Sequence, residues 1–147
     1  DLYQVLLNSP PIAHGWEQML SAVRNKSSLP AALRELCIIR VAVLNKADFE
    51  YKAHVPIAIK EGVSEATIDA VTAAAYLEPL PLDVAASNAE RVALRLTDTM
   101  TRAIDVPDSL FEEVRQHFSA QQQIDLVATI AAYNMVSRFL TALHIGH

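Results

Sequence analysis

Glu50 and His54 stand four residues apart in the stretch Ala47-Asp48-Phe49-Glu50-Tyr51-Lys52-Ala53-His54. On a helix this spacing puts their Cβ atoms about 5–6 Å apart on one face. A carboxylate beside an imidazole favours the protonated ring and fixes one tautomer. Such a pair can move a proton near neutral pH. It is also common as solvent-facing helix decoration, and spacing alone does not separate the two. Pro56 follows closely. Inside a helix it removes its own N–H and frees the carbonyl of Lys52, so the backbone near His54 is expected to be irregular.

Two further charges lie in an unusual setting. The segment Leu36-Cys37-Ile38-Ile39-Arg40-Val41-Ala42-Val43-Leu44 is apolar nearly all round, with Glu35 before it and Arg40 inside it. A helix of this pattern is buried, and charges on it need partners. Glu35 can pair with Arg34 or Arg40, and an ion-pair role for Arg40 is the simpler one. The last long apolar stretch, Ile124 to Leu143, is interrupted by Tyr133, Asn134 and Arg138.

The elements that must position these residues are helices. The three glycines fall at positions 15, 62 and 146, too few for a fold of strands and tight turns. Ser9-Pro10 and Leu29-Pro30 read as helix starts with proline at the first helical position. Asp48 is a candidate cap. Gly62-Val63-Ser64 reads as a stop and a new start. Ser87–Glu90 and Ser119–Gln122 have capping-box spacing. These signals predict helices over 2–8, 10–25, 30–46, 48–61, 64–75, 87–104, 107–118 and 120–144. Leu77-Glu78-Pro79-Leu80-Pro81-Leu82 is the one clear break, joining two halves of a single domain spanning 1–147.

Apolar residues make up 52% of the chain, against about 45–50% in average soluble domains. The surplus points to a second buried surface and hence a homo-oligomer. The net charge is −5 with basic residues scattered, which argues against nucleic acid as a partner. No run is long and apolar enough for a membrane span. The chain opens on Asp1-Leu2-Tyr3, without a signal-peptide pattern, and its one cysteine, Cys37, suits a reducing cytoplasm. No His/Cys cluster has metal-ligand spacing.

The run from Leu29 to Ala42, then Phe49-Glu50-Tyr51 and His54, then Gly62-Val63-Ser64, resembles the carboxymuconolactone decarboxylase family, also called AhpD-like. The resemblance covers about residues 10–75, with Phe111, Tyr133-Asn134 and Arg138 fitting the general pattern beyond. It implies an all-α fold of about seven to eight helices and assembly as trimers or hexamers. The family's redox branch uses Cys-x-x-Cys-x-x-x-His. Aligned on His54, its two cysteine positions hold Ala47 and Glu50, and its upstream glutamate falls on Glu35. A dithiol relay needs a thiolate and a resolving partner. The resemblance is therefore to a member that keeps the acid/base residues without the thiol pair, with Cys37 a small buried hydrophobe.

A reaction expected on this basis is a cofactor-free, metal-free lyase step on a small carboxylated or lactone substrate. His54 is the candidate general acid, with Glu35 or Glu50 orienting it. Arg40 or Arg138 is the candidate anchor for a substrate carboxylate, with Tyr51 and Tyr133 as further lining residues. Two other outcomes stand beside it. One is an alkylhydroperoxidase-type activity, disfavoured by the missing thiols. The other is a non-catalytic oligomeric binding protein, which predicts no closed pocket near His54 and is favoured if Glu35, Glu50 and His54 lie apart on open surface.

Overall fold

The structure, a computed structural model, describes residues 1–73 and 87–146. Eight helices follow in order: α1 (Leu2–Leu6), α2 (Pro10–Asn25), α3 (Ala31–Leu44), α4 (Asp48–Lys60), α5 (Glu65–Ala73), α6 (Asn88–Arg102), α7 (Asp108–His117) and α8 (Ala120–Ala142). Among the described residues there is no strand. The expected helices are present with ends shifted by a residue or two. The proline-containing break at 77–82 and the last residues of the expected 64–75 helix lie outside the described residues.

α3 is the axle. It packs against α4, α5, α6 and α8. Its apolar residues divide between two cores. Leu33, Cys37, Ile38 and Val41 join the larger one with Leu20, Leu96, Ile130 and Val136. Leu36, Ile39 and Val43 join a smaller one with Ala58, Ile68, Val71 and Leu94. A helix buried on both sides has no solvent stripe to spare for polar residues. Glu35 and Arg40 are buried with it.

The helix ends show which sequence signals act as caps. Ser119 and Gln122 form a full capping box. The Ser87 side chain accepts from the N–H of Glu90, and Ser64 Oγ accepts from the N–H of Thr67. Ser9 takes the cap position of α2 without a side-chain bond. Pro11 offers no N–H to accept from. The expected caps Leu29 and Asp48 are each displaced by one residue. Pro30, with extended ψ of 133°, is the cap of α3. Ala47 is the cap of α4, leaving Asp48 in the first turn, where its charge complements the helix dipole.

α4 runs unbroken through Pro56, which corrects the expected irregularity. Pro56 and Lys52 are both exposed, so water can serve the carbonyl that proline leaves unpaired. Gly146, at φ 88°, lies against the ring of Phe49, and a Cβ there would overlap that ring. The chain's end thus braces the start of α4, next to Glu50.

Candidate active site

Three helices bring one cluster together. His54 on α4 lies between two carboxylates. Its Nδ1 is 2.6 Å from Glu35 Oε2, across the α3–α4 interface. Its Nε2 is 3.2 Å from Glu50 Oε2, one turn back on α4. All three residues are buried, at 5%, 2% and 3% exposure respectively. The third helix, α8, supplies Tyr133, whose ring meets the imidazole edge-on with centroids 5.1 Å apart.

The two contacts of His54 differ in kind. The Nδ1 contact is a hydrogen bond, and it fixes which nitrogen Glu35 holds. The Nε2 contact is close but poorly aligned, so Glu50 Oε2 is left without a hydrogen-bond donor among the described residues. Burial opposes the charge on His54. The hydrogen bond to Glu35 and the close carboxylate charges of Glu35 and Glu50 outweigh it, holding the imidazole pKa above its ordinary 6.5.

Two arginines border the cluster. Arg34 lies 3.3 Å from Glu35 Oε1, on the oxygen that His54 does not use. Arg24, from the last turn of α2, donates its Nε to the Tyr133 oxygen at 2.8 Å. Burial pushes the Tyr133 pKa to about 12 against the opposing pull of Arg24, so the phenol keeps its proton at neutral pH.

The remaining candidates lie elsewhere. Arg40 is fully buried. It forms two parallel bonds to Asp98, at 2.7 and 2.8 Å, and a third to the Val71 carbonyl at 2.7 Å. The Tyr51 hydroxyl lies 3.2 Å from Thr72 Oγ1. Thr72 donates to the Ile68 carbonyl, so Tyr51 is the donor to Thr72. Arg138 is exposed and bonds back to Asn134 on its own helix. It lines a surface groove of about 330 Å³ with Met100, Ile104, Ala131, Asn134 and Met135. Of the named residues, Glu35, Glu50, His54 and Tyr133 come together, and Arg40, Tyr51 and Arg138 do not join them.

Sequence reasoning overlooked Arg24. A signal was present: Trp16, Leu20 and Val23 form the buried stripe of α2, and Arg24 flanks it one turn after Leu20. Cys37 lies in the core with its thiol pKa pushed by burial to about 12.

Residues 10–99 match the sequence profile of the carboxymuconolactone decarboxylase family. The chain belongs to this family. A relative from Bacillus subtilis, the uncharacterized protein YdfG, is 32% identical over 120 residues, covering 80% of this chain and 78% of its own. Among solved structures, one from Agrobacterium tumefaciens is a protein of unknown function with a suggested role in AhpD-type antioxidant defence. It matches with a TM-score of 0.81 at 23% identity, over 97% of this chain and 94% of its own. An uncharacterized peroxidase-related protein from Silicibacter sp. TM1040 matches at 0.78 and 19% identity, over 96% and 72%. The debrominase Bmp8, in complex with 2,3,4-tribromopyrrole, also matches at 0.78, with 16% identity over 97% and 73%. These structures share the fold of this family member.

Proposed function

We propose that this protein is a cofactor-free acid/base enzyme that acts, in the manner of a decarboxylase, on a small carboxylated or lactone substrate. The observation that carries the reading is the buried imidazole of His54, hydrogen-bonded to Glu35 at 2.6 Å and flanked by Glu50 at 3.2 Å. In the proposed step the bond to the departing carboxylate breaks and CO2 leaves. The electron pair moves into the conjugated carbonyl as a dienolate. His54 then delivers the Nε2 proton to carbon, and water restores it. Glu35 holds Nδ1–H throughout, which keeps the ring oriented and stabilises its charged form. General acid help of this kind is worth about 10²–10⁴-fold, so positioning of the substrate must supply the rest.

The exposed Ile104, Ile124 and Leu7, at 80%, 70% and 66%, support a homo-oligomer, which we take as trimer or hexamer. The test of the reading is CO2 release from carboxylated butenolides. His54→Ala should lower turnover by about 10²–10⁴-fold while leaving helicity and subunit number unchanged. Unchanged turnover in the folded variant refutes the role of His54.

A further inference from the structure

Arg24 sits where α2 ends against the His54 cluster. Its Nε is fixed by the Tyr133 oxygen at 2.8 Å, and the Tyr133 ring abuts His54. The phenol oxygen accepts from Arg24, which leaves its own proton to give. Arg34, Arg40, Arg95 and Arg115 each have a carboxylate within 4.0 Å, at 3.3, 2.7, 2.7 and 3.1 Å. Arg24 has none among the described residues. A guanidinium held through Nε by a neutral phenol, with no carboxylate on its terminal nitrogens among the described residues, is suited to a planar anion.

We propose that Arg24, braced by Tyr133, binds a carboxylate of the substrate at the His54 site. The proposal rests on the acid/base reading above and assigns the anchor that Arg40, engaged by Asp98, is not placed to be. Two further observations support it. The formal charges of Arg24, Arg34 and protonated His54 exceed those of Glu35 and Glu50 by one, so the cluster favours an anion. Arg24 is half-buried, and the charge of buried Glu50 reaches it. A carboxylate paired with a guanidinium is held as the anion, so the group that Arg24 binds is one the reaction keeps.

The probes are a butenolide bearing an acetate arm, and its methyl ester. Binding is followed through the His54 ring-carbon signal in NMR titrations. Chemistry is followed as exchange of the ring proton for deuterium, in which a C–H bond breaks to a dienolate and solvent returns a deuteron. The wild type should bind the acid more tightly than the ester. Arg24→Gln should weaken the acid by about ten- to a hundredfold, the range for a hydrogen bond to a charged group, and leave the ester unchanged. Arg24→Lys keeps the charge without the fork and should lose less. It also serves if Arg24→Gln does not fold, and unchanged acid binding by Arg24→Lys then overturns the proposal. Arg138→Gln should bind both probes as the wild type does. Acid binding that survives in folded Arg24→Gln overturns the proposal. So does equal binding of acid and ester, or no binding at millimolar probe. Exchange that needs His54 but not Arg24 leaves the acid/base reading standing and removes Arg24. Arg24-dependent binding without exchange does the reverse.

Discussion

Two buried charges sit five positions apart on α3, and their surroundings are opposite in character. Each nitrogen of the Arg40 guanidinium has a partner: two bonds run to Asp98 and one to the Val71 carbonyl. Its cluster is closed. Glu35 belongs to an open one. It holds His54 at 2.6 Å and meets Arg34 at 3.3 Å, and around it, among the described residues, remain a Glu50 oxygen with no well-aligned hydrogen bond and a guanidinium on Arg24 with no carboxylate partner. Burial alone therefore does not mark a site. What separates the two is whether the buried polar groups satisfy one another. The first cluster ties α3 to α5 and α6. The second leaves polar groups unmatched, which the proposed anion would meet.

The largest effect should come from breaking the closed cluster. Arg40→Met leaves Asp98 without its buried partner, and such a loss costs about 3–5 kcal/mol. Thermal or urea unfolding should report it. Adding Asp98→Leu should recover most of the loss, because a matched apolar pair does not leave a charge stranded. If Arg40→Met left stability intact but removed probe binding, Arg40 would be the substrate anchor after all, and the contrast between the clusters would collapse.

The open cluster should respond to pH. The groups facing His54 are Glu35 from α3, Glu50 from α4 and Tyr133 from α8. The folded pKa of His54 is raised above 6.5. His54 therefore contributes stability that is fully present below about 6.5, its unfolded value, and is lost as pH rises through the folded pKa. The stability difference between wild type and His54→Gln should shrink over that window, measured by urea unfolding at a series of pH values. Glu50→Gln removes one of the raising carboxylates and should move the window to lower pH. An imidazole titrating at or below 6.5 in the wild type would mean that burial wins over the two carboxylates.

Much of this arrangement was legible in the sequence. The apolar run around Ile38 and Ile39 marked α3 as central, and the Glu50/His54 spacing placed both on one face of α4. The convergence of Glu35 with them was implied by the family resemblance, because a 19-residue separation carries no periodic signal. The partner of Arg40 was not legible for the same reason: Asp98 lies 58 residues on, on a different helix. Arg24 is harder still. It is 109 residues from Tyr133, and only its place beside a buried stripe distinguished it. Local chemistry such as capping at Ser87 and Ser119 can be read along the chain, whereas partners across helices depend on packing that no short window contains.

The smallest effect should come from Cys37, which lies on α3 between Glu35 and Arg40 yet belongs to neither cluster. Its side chain is fully buried in the larger core, and its thiol pKa is pushed to about 12. The thiolate is the reactive form of cysteine, so at neutral pH native Cys37 should resist alkylation by iodoacetamide, and unfolded Cys37 should not. Cys37→Ala removes one buried atom and should cost about 1 kcal/mol of stability, with turnover and probe binding unchanged. A buried group with no unmet polar valence shapes the fold only. Robust peroxide consumption that Cys37→Ala abolishes would break that rule. It would give this family member a thiol chemistry without the paired cysteines, centred two residues from Glu35.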